Sequence, residues 1–442
     1  MREIEGLVEV EGRWPGTDAE RRAARHLEER LGERGRDAEL EPTSVWPNWP
    51  LTHAIHALLG IAGSILSVYA PFPAAVLILF TAISTFGDLT GTFYIVRRLT
   101  GRRASQNVVS RERGDKPGTL ILSAHYDAAR TGLLFSRRLT ERRAVLGKLV
   151  RRPIGPFEAF FWSLMFILVL TLLRLLGIEA IPLTVLQFLF TVVLILSVPL
   201  LVDVQLSQVV PGASDNASGV ATVLRLADRY GGDLDAFDVW VLLPGAEEAL
   251  LLGMRSFVRK HRKELDASRT VFLNVDIVGN GTVRYMSKEG LVFAYPYHPT
   301  LVELCEEIAE DDEPEEEEEE EEDEEREDQG REDNDDDNDE RNRERGGGKY
   351  GARPMVSRQA TDALAARTAG FPAITITCRN ALDYAPNYHQ PSDTPENIDP
   401  EALERAFGFC SELIESIDEQ IGPQLTGPGE GTDLSEDKGT VS

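Results

Sequence analysis

The chain has 442 residues, a formal charge of −28, 7 histidines and 3 cysteines. That length excludes a disulfide-stapled miniprotein, and Cys305, Cys378 and Cys410 show neither a CxxC spacing nor an even framework, so they read as buried, reduced thiols. The charge is concentrated: Ala309–Arg345 holds 25 Asp and Glu against 5 Arg, a difference of −20 that leaves −8 for everything else, and an acidic background without a Lys/Arg stripe argues against a nucleic-acid partner.

Met1–Leu40 is polar and charged and contains no apolar stretch of the kind a secretory leader needs. Within it, Thr17–Leu31 opens on a Thr-Asp cap and repeats Ala and Leu at helical spacing before Gly32, which predicts a surface helix with His26 solvated. Two apolar hairpins come next. The first pairs Thr52–Tyr69 with Ala74–Val96, and the second pairs Phe157–Leu176 with Ile181–Val202. Each arm has roughly 18–23 residues, enough to cross a hydrocarbon layer of ~30 Å, so four transmembrane helices are predicted. Asp88 and Gln187 inside them are expected to hydrogen-bond between helices, His53 and His56 to lie at the membrane border, and His261 and His298 to be exposed.

Arg97, Arg98, Arg102 and Arg103 follow the second span, while Arg137, Arg138, Arg142, Arg143, Lys148, Arg151 and Arg152 precede the third. This positive side faces the cytoplasm, and because both inserts are hairpins every soluble piece returns to it. The expected location is thus a multi-pass protein of the cell membrane with its folded domain in the cytoplasm.

Outside the hairpins, β-rich runs at Thr119–Ala124, Phe237–Leu243, Val271–Val275 and Ala373–Thr377 alternate with helical patterns at Asn216–Tyr230, Leu250–Arg262, Thr300–Glu310, Thr361–Ala369 and Pro400–Ile417. The predicted fold is α/β, a mainly parallel or mixed central sheet with helices on both faces, plus the two transmembrane hairpins. One domain of about 290 residues is assembled from 1–50, 98–152, 204–308 and 349–421. It is interrupted by hairpins at 51–97 and 153–203 and an acidic loop at 309–348, and a tail follows at 422–442. Loop and tail are expected to be disordered, since they carry too little apolar surface to fold.

Five segments place His, Asp or Glu just beyond a predicted strand or at the start of the next helix. They are His125 and Asp127 in SAHYDA, Asp215 in GASDNASG, Glu247 and Glu248 in LLPGAEEALLLG, Asp276 in NVDIVG and His389 in NYHQPSDT. In an open α/β sheet the carboxyl ends of the strands share one rim, so side chains ~260 residues apart can converge. Imidazoles with carboxylates suit zinc, and one shared carboxylate suits two ions; without metal, the four acids would repel one another. The GNGTVR run after Asp276 reads as a turn, lacking the third glycine and following helix of a nucleotide loop.

In order and context these segments resemble the co-catalytic dizinc aminopeptidase family, the bacterial leucyl aminopeptidase type within metallopeptidase clan MH. The resemblance spans roughly Gly12–Ile417 once the hairpins and acidic loop are set aside. It implies two Zn2+ per chain, with His125 and Asp276 on one ion, Glu248 and His389 on the other, and Asp215 bridging. It further implies Glu247 as general base, Asp127 as the carboxylate that orients His125, and a peptide substrate. The chain departs from the family at Ser214, where a second acid is usual, and in the ALLLGMRSF stretch after the Glu pair. Carboxypeptidase, other amide hydrolase, single-zinc glutaminyl cyclase and a non-catalytic receptor or scaffold are the alternatives on the same fold. The hairpins contribute no expected ligand, and they read as an anchor separable from the catalyst.

Overall fold

A computed structural model describes residues 1–310 and 349–426. The acidic tract from 311 and the tail from 427, both expected to be disordered, lie outside the described residues. Nine strands form one sheet: β1 Ala38–Val45, β2 Arg103–Ser110, β3 Gly118–Ser123, β4 Phe237–Leu243, β5 Thr270–Val275, β6 Thr282–Glu289, β7 Tyr295–Pro296, β8 Arg353–Ser357 and β9 Ala373–Arg379. Their order is β1-β2-β4-β3-β5-β9-β6-β7, with β8 paired to β6. The central four, β4-β3-β5-β9, are parallel, and antiparallel pairs flank them. The sheet is therefore mixed.

The parallel centre follows from composition. TLIL, TVFLNV and AITIT are runs of β-branched and apolar residues with almost no alternation, as strands covered on both faces require, and β5 and β9 are buried throughout. The sequence pattern anticipated all four central strands. It missed β1, β2, β6, β7 and β8, the flanking strands; β1, β2 and β6 include Glu39, Glu41, Pro42, Arg103 and Lys288 and so do not read as apolar runs.

The helices are α1 Arg2–Val8, α2 Asp18–Glu33, α3 Trp49–Ser67, α4 Pro71–Thr90, α5 Arg137–Leu149, α6 Glu158–Leu175, α7 Ile181–Leu206, α8 Ser218–Tyr230, α9 Leu252–His261, α10 Pro299–Glu310, α11 Asp362–Thr368 and α12 Pro400–Ser416. A last turn, Gly422–Thr426, occupies what was expected to begin the tail. Thr17 caps α2 as expected: its Oγ1 accepts from the Glu20 N–H at 3.2 Å, and the Glu20 carboxylate reaches back to the Gly16 N–H at 2.7 Å.

Helices α3, α4, α6 and α7 are long and apolar enough to cross a membrane. They pack as one bundle, not as two separate hairpins. Gln187 of α7 donates to the Ser64 carbonyl at 2.8 Å and the Ser67 hydroxyl at 2.7 Å of α3, and accepts from Arg174 of α6 at 3.0 Å. Gly60 of α3 leaves room for Leu164 and Leu194, where an added Cβ would sit 2.5 Å and 2.8 Å from their methyl groups. The outward faces are apolar, with Leu58, Ile65, Phe72 and Leu196 exposed.

The expectation of a separable anchor does not match the packing. Trp49 of α3, Leu89 of α4, Phe161 of α6 and Leu201 of α7 share one apolar cluster with Trp14, Phe135 and Leu291 of the α/β domain. Polar contacts reinforce the junction. Asp88, near the end of α4, accepts from Arg97 at 2.9 Å and 2.6 Å, and Arg97 donates onward to the Ala249 carbonyl at 2.7 Å.

Four histidines differ from their sequence reading. His53 and His56 are fully buried, the first 3.2 Å from the Asp88 carboxylate and the second 2.8 Å from the Ser84 hydroxyl. His261 is buried between Glu264 and Glu41, at 2.8 Å and 3.0 Å, and His298 is buried ahead of α10. The sequence does not show their surroundings: Asp88 and Ser84, which face His53 and His56, come from α4, and Glu41, which faces His261, comes from β1. His26 is half-buried, and the three cysteines are free and buried as expected.

Candidate metal centre

The rim formed by the carboxyl ends of β4, β3, β5 and β9 carries the predicted residues. His125 and Asp127 follow β3, Glu247 and Glu248 follow β4, Asp276 follows β5 directly, and His389 lies in the loop after β9. Asp215 enters from the turn ahead of α8. All seven are buried, and six of their side chains meet. Nε2 of His125 lies 3.2 Å from Asp215, 3.5 Å from Asp276 and 3.9 Å from Glu247. Nε2 of His389 lies 3.2 Å from the other Asp215 oxygen and 3.4 Å from Glu248.

Asp127 stands one layer back. Its carboxylate is 3.5 Å from Nδ1 of His125 and accepts the backbone N–H groups of Glu247 at 3.2 Å and Glu248 at 3.0 Å. One carboxylate thus ties the His125 loop to the Glu pair.

The GASDNASG segment is locked by its own side chains. Asn216 donates to the Val275 carbonyl at 2.9 Å and accepts from the Ile277 N–H at 3.0 Å, bracketing Asp276. Ser218 accepts from the Val278 N–H at 3.1 Å. An added Cβ on Gly219 would fall 2.4 Å from the Val275 carbonyl oxygen, so glycine alone lets α8 approach β5 this closely.

Two positioning residues escaped the sequence reading. Asp393 accepts the N–H groups of Ser214 at 2.7 Å and Asp215 at 3.0 Å, and burial raises its carboxyl to about 7 against those hydrogen bonds. It stands four residues after His389 inside the quoted NYHQPSDT run, so the signal was present. Arg13 is buried behind the site and donates to the carbonyls of Tyr126 at 3.0 Å, Leu7 at 2.9 Å and Gly212 at 3.3 Å. Burial brings its pKa down to about 10, while Asp127, Asp393 and Asp215 pull the other way. Nothing in a lone arginine ahead of a helix announces that role.

Electrostatics make the cluster a cation site. Burial would raise Asp215, but the imidazoles of His125 and His389 beside it outweigh that and hold the carboxyl below its ordinary range. Burial drives Glu247 well above its range, with His125 opposing and Glu248 adding to the rise. Burial opposes the charged form of His389, yet Glu248 and Asp215 lift it to about 10. Four carboxylates around two imidazoles therefore call for positive charge.

The donor atoms fit a metal. Asp215 Oδ2, Glu248 Oε1 and Asp276 Oδ1 are buried without a hydrogen bond although each faces an imidazole nitrogen, and ligand atoms of His125, Asp215 and Glu248 lie within 4.8 Å of one another. Imidazole and carboxylate are zinc's preferred nitrogen and oxygen donors. The void they wall is about 20 Å³, with Ile277, Gln359, Ala360, Thr361 and Tyr388 completing it. The ring of Phe135 meets His389 edge-on at 4.3 Å, and Tyr388 stacks on the same imidazole at 3.8 Å.

A mixed α/β sheet with this donor set on its rim defines a zinc metallopeptidase. Residues 201–414 match the model of peptidase family M28, and this segment carries Asp215, Glu247, Glu248, Asp276, His389 and Asp393. His125 and Asp127 precede it. No curated protein matches the sequence. Among solved structures, the chain is similar to an aminopeptidase from Aneurinibacillus sp. strain AM-1, at 13% identity and TM-score 0.49 over 98% of this chain and 94% of that one. A Zn-dependent exopeptidase from Parabacteroides distasonis gives 12%, 0.48, 95% and 96% in the same order. LapB from Legionella pneumophila gives 12%, 0.48, 94% and 70%. The assignment rests on the family match and the site.

Proposed function

We propose that the chain is a membrane-anchored aminopeptidase in which two zinc ions share Asp215. The observation that carries this is the seating of Asp215 3.2 Å from each of two imidazoles, with a further carboxylate beside each imidazole. This supports one zinc held by His125 and Asp276, a second held by His389 and Glu248, and Asp215 common to both. Bound zinc supplies a water of lowered pKa and polarises the scissile carbonyl. Glu247, left out of both ligand sets, takes the proton of the attacking water and returns it to the departing amine. Asp127 fixes the ring of His125 through Nδ1 and holds the Glu pair through two backbone amides.

The free amino end is favoured over the free carboxyl end by what lines the void. Among the described residues no Lys or Arg does so, and a terminal carboxylate would find no guanidinium or ammonium there beside Asp215, Glu247, Glu248 and Asp276. An ammonium group suits that wall. The four apolar helices supply the anchor, and the basic flanks support a cytoplasmic catalytic domain.

Purified protein loaded with zinc should hold two ions per chain and cleave peptides with a free amino terminus, amidated or not, while leaving N-acetylated peptides intact. One zinc per chain at saturation would favour the cyclase alternative. Cleavage indifferent to N-acetylation would reject the aminopeptidase reading.

A further inference from the structure

One face of α5 carries two kinds of side chain in a single row. Arg138 and Arg142 stand one turn apart and are followed by Val145, Leu146 and Leu149, a spacing that puts all five on one stripe. Together with Glu141 they line one open surface groove. Val145 is 56% exposed, Leu146 47% and Leu149 79%, so among the described residues nothing covers the apolar half of the stripe.

Both ends of this segment are tied to the apolar bundle. Upstream, the Leu133 N–H donates to the Asp203 carboxylate at 2.6 Å in the last turn of α7, and Phe135 belongs to the cluster where the bundle meets the domain. Downstream, α6 begins at Glu158, close after α5 ends, and Arg152 pairs with Glu158 at 3.3 Å. The helix thus lies at the level where two spans leave the α/β domain.

The local charge is positive. Arg138, Arg142, Lys148 and Arg151 are exposed, and Glu141 is already engaged by Arg137 at 2.7 Å and by the Tyr384 hydroxyl at 3.2 Å. A basic stripe continuing into an uncovered apolar one is what an anionic bilayer surface accepts. The acidic tract of this same chain could answer the arginines, but Ala309 and Pro314 are its only apolar side chains and cannot cover Val145, Leu146 and Leu149.

We propose that α5 lies in the headgroup layer of an anionic membrane leaflet, with Arg138 and Arg142 against lipid phosphates and Val145, Leu146 and Leu149 at the acyl boundary. This rests on reading α3, α4, α6 and α7 as membrane spans.

The test uses the full chain in nanodiscs of phosphatidylcholine with or without phosphatidylglycerol. A spin label is placed at Leu149→Cys, and its collisions with oxygen and with a water-soluble nickel chelate are compared. Cys305, Cys378 and Cys410 are buried and do not compete for the label. A second label at Leu196→Cys, on the outward face of α7, reports the spans. With phosphatidylglycerol present, the Leu149→Cys label should favour oxygen. Arg138→Gln with Arg142→Gln should shift its buried-to-exposed ratio about 30-fold toward the chelate, two arginines near an anionic surface being removed. A chelate-accessible label at Leu149→Cys beside an oxygen-accessible one at Leu196→Cys overturns the proposal and leaves the spans standing. Chelate access at Leu196→Cys overturns the span reading itself. Shielding of Leu149→Cys from both reagents would assign the face to the acidic tract, and an oxygen preference indifferent to phosphatidylglycerol and to the arginines would remove the lipid phosphates; either result overturns the proposal.

Discussion

Asp88→Ala tests how far the peptidase site depends on the apolar bundle. Asp88 is 1% exposed and Arg97 fully buried, and their two hydrogen bonds, 2.9 Å and 2.6 Å, are the guanidinium's main compensation for leaving water. Removing the carboxylate strands a buried cation, which costs about 3–5 kcal/mol. His53, 3.2 Å from the same carboxylate, offers no negative charge in its place. The third Arg97 contact, 2.7 Å to the carbonyl of Ala249, transmits the loss to the residue next to Glu248. Asp88→Ala should therefore lower both the unfolding midpoint in detergent and the affinity for zinc. Asp88→Leu combined with Arg97→Met removes both charges, so it should recover most of the stability while leaving the Ala249 carbonyl without its donor and His53 without its facing carboxylate, a loss of about 1–3 kcal/mol for each group left unpaired. Thermal unfolding with metal analysis on all three proteins checks this. If Asp88→Ala costs under about 1 kcal/mol, or the double variant is no better than the single, the pair does not couple bundle and site.

Four further outcomes follow from the geometry. Glu247→Gln should retain zinc and lose about 10²–10⁴-fold in turnover, measured by steady-state kinetics beside metal content; near-normal turnover would remove Glu247 as proton carrier. Asp215→Asn should weaken binding of every bound zinc, whereas His389→Ala should mainly strip one, which titration with a chelator distinguishes. Burial raises Glu289 from 4.5 to about 7 although Tyr297 and Thr361 donate to it, so between those values the folded chain holds a proton that the unfolded chain releases. Stability should accordingly fall by up to about 3 kcal/mol as pH rises through that window, and Glu289→Gln should flatten the curve of unfolding midpoint against pH. Finally, Tyr69→Cys and Ile178→Cys, at the turns of the two hairpins, should label from outside intact cells while Glu401→Cys should not; the reverse would invert the topology.

What could be read from the sequence divides along physical lines. The central strands and the four apolar helices were legible because each is a local apolar run, and a buried parallel strand or a span has no other way to be written. The metal cluster was legible because its residues sit at strand ends, where one rim collects them however far apart they lie in the chain. Strands β1, β2 and β6 were not, since they lie in the flanking antiparallel parts of the sheet and carry charged residues such as Glu39, Arg103 and Lys288 among their apolar ones. Nor were Arg13, Arg97 and the buried histidines, whose environments are built by elements distant in sequence: Arg97 counts among the basic residues that signal a membrane flank, yet it is fully buried on Asp88. The joint cluster of bundle and domain was equally hidden, because Trp49, Phe135 and Leu201 each look unremarkable within their own segments.

Phe135 serves two neighbours at once. Its ring closes over His389, and it belongs to the apolar cluster in which Trp49 and Leu201 join the domain to the bundle. Trimming the four apolar helices to obtain a more soluble enzyme would remove the support behind that ring and open one wall of the site to solvent. Solubility and an intact wall thus pull against each other. A shortened protein that keeps its chemistry would have to retain the first turns of α3 and the last turns of α7, so the working boundary of the enzyme runs inside the apolar helices.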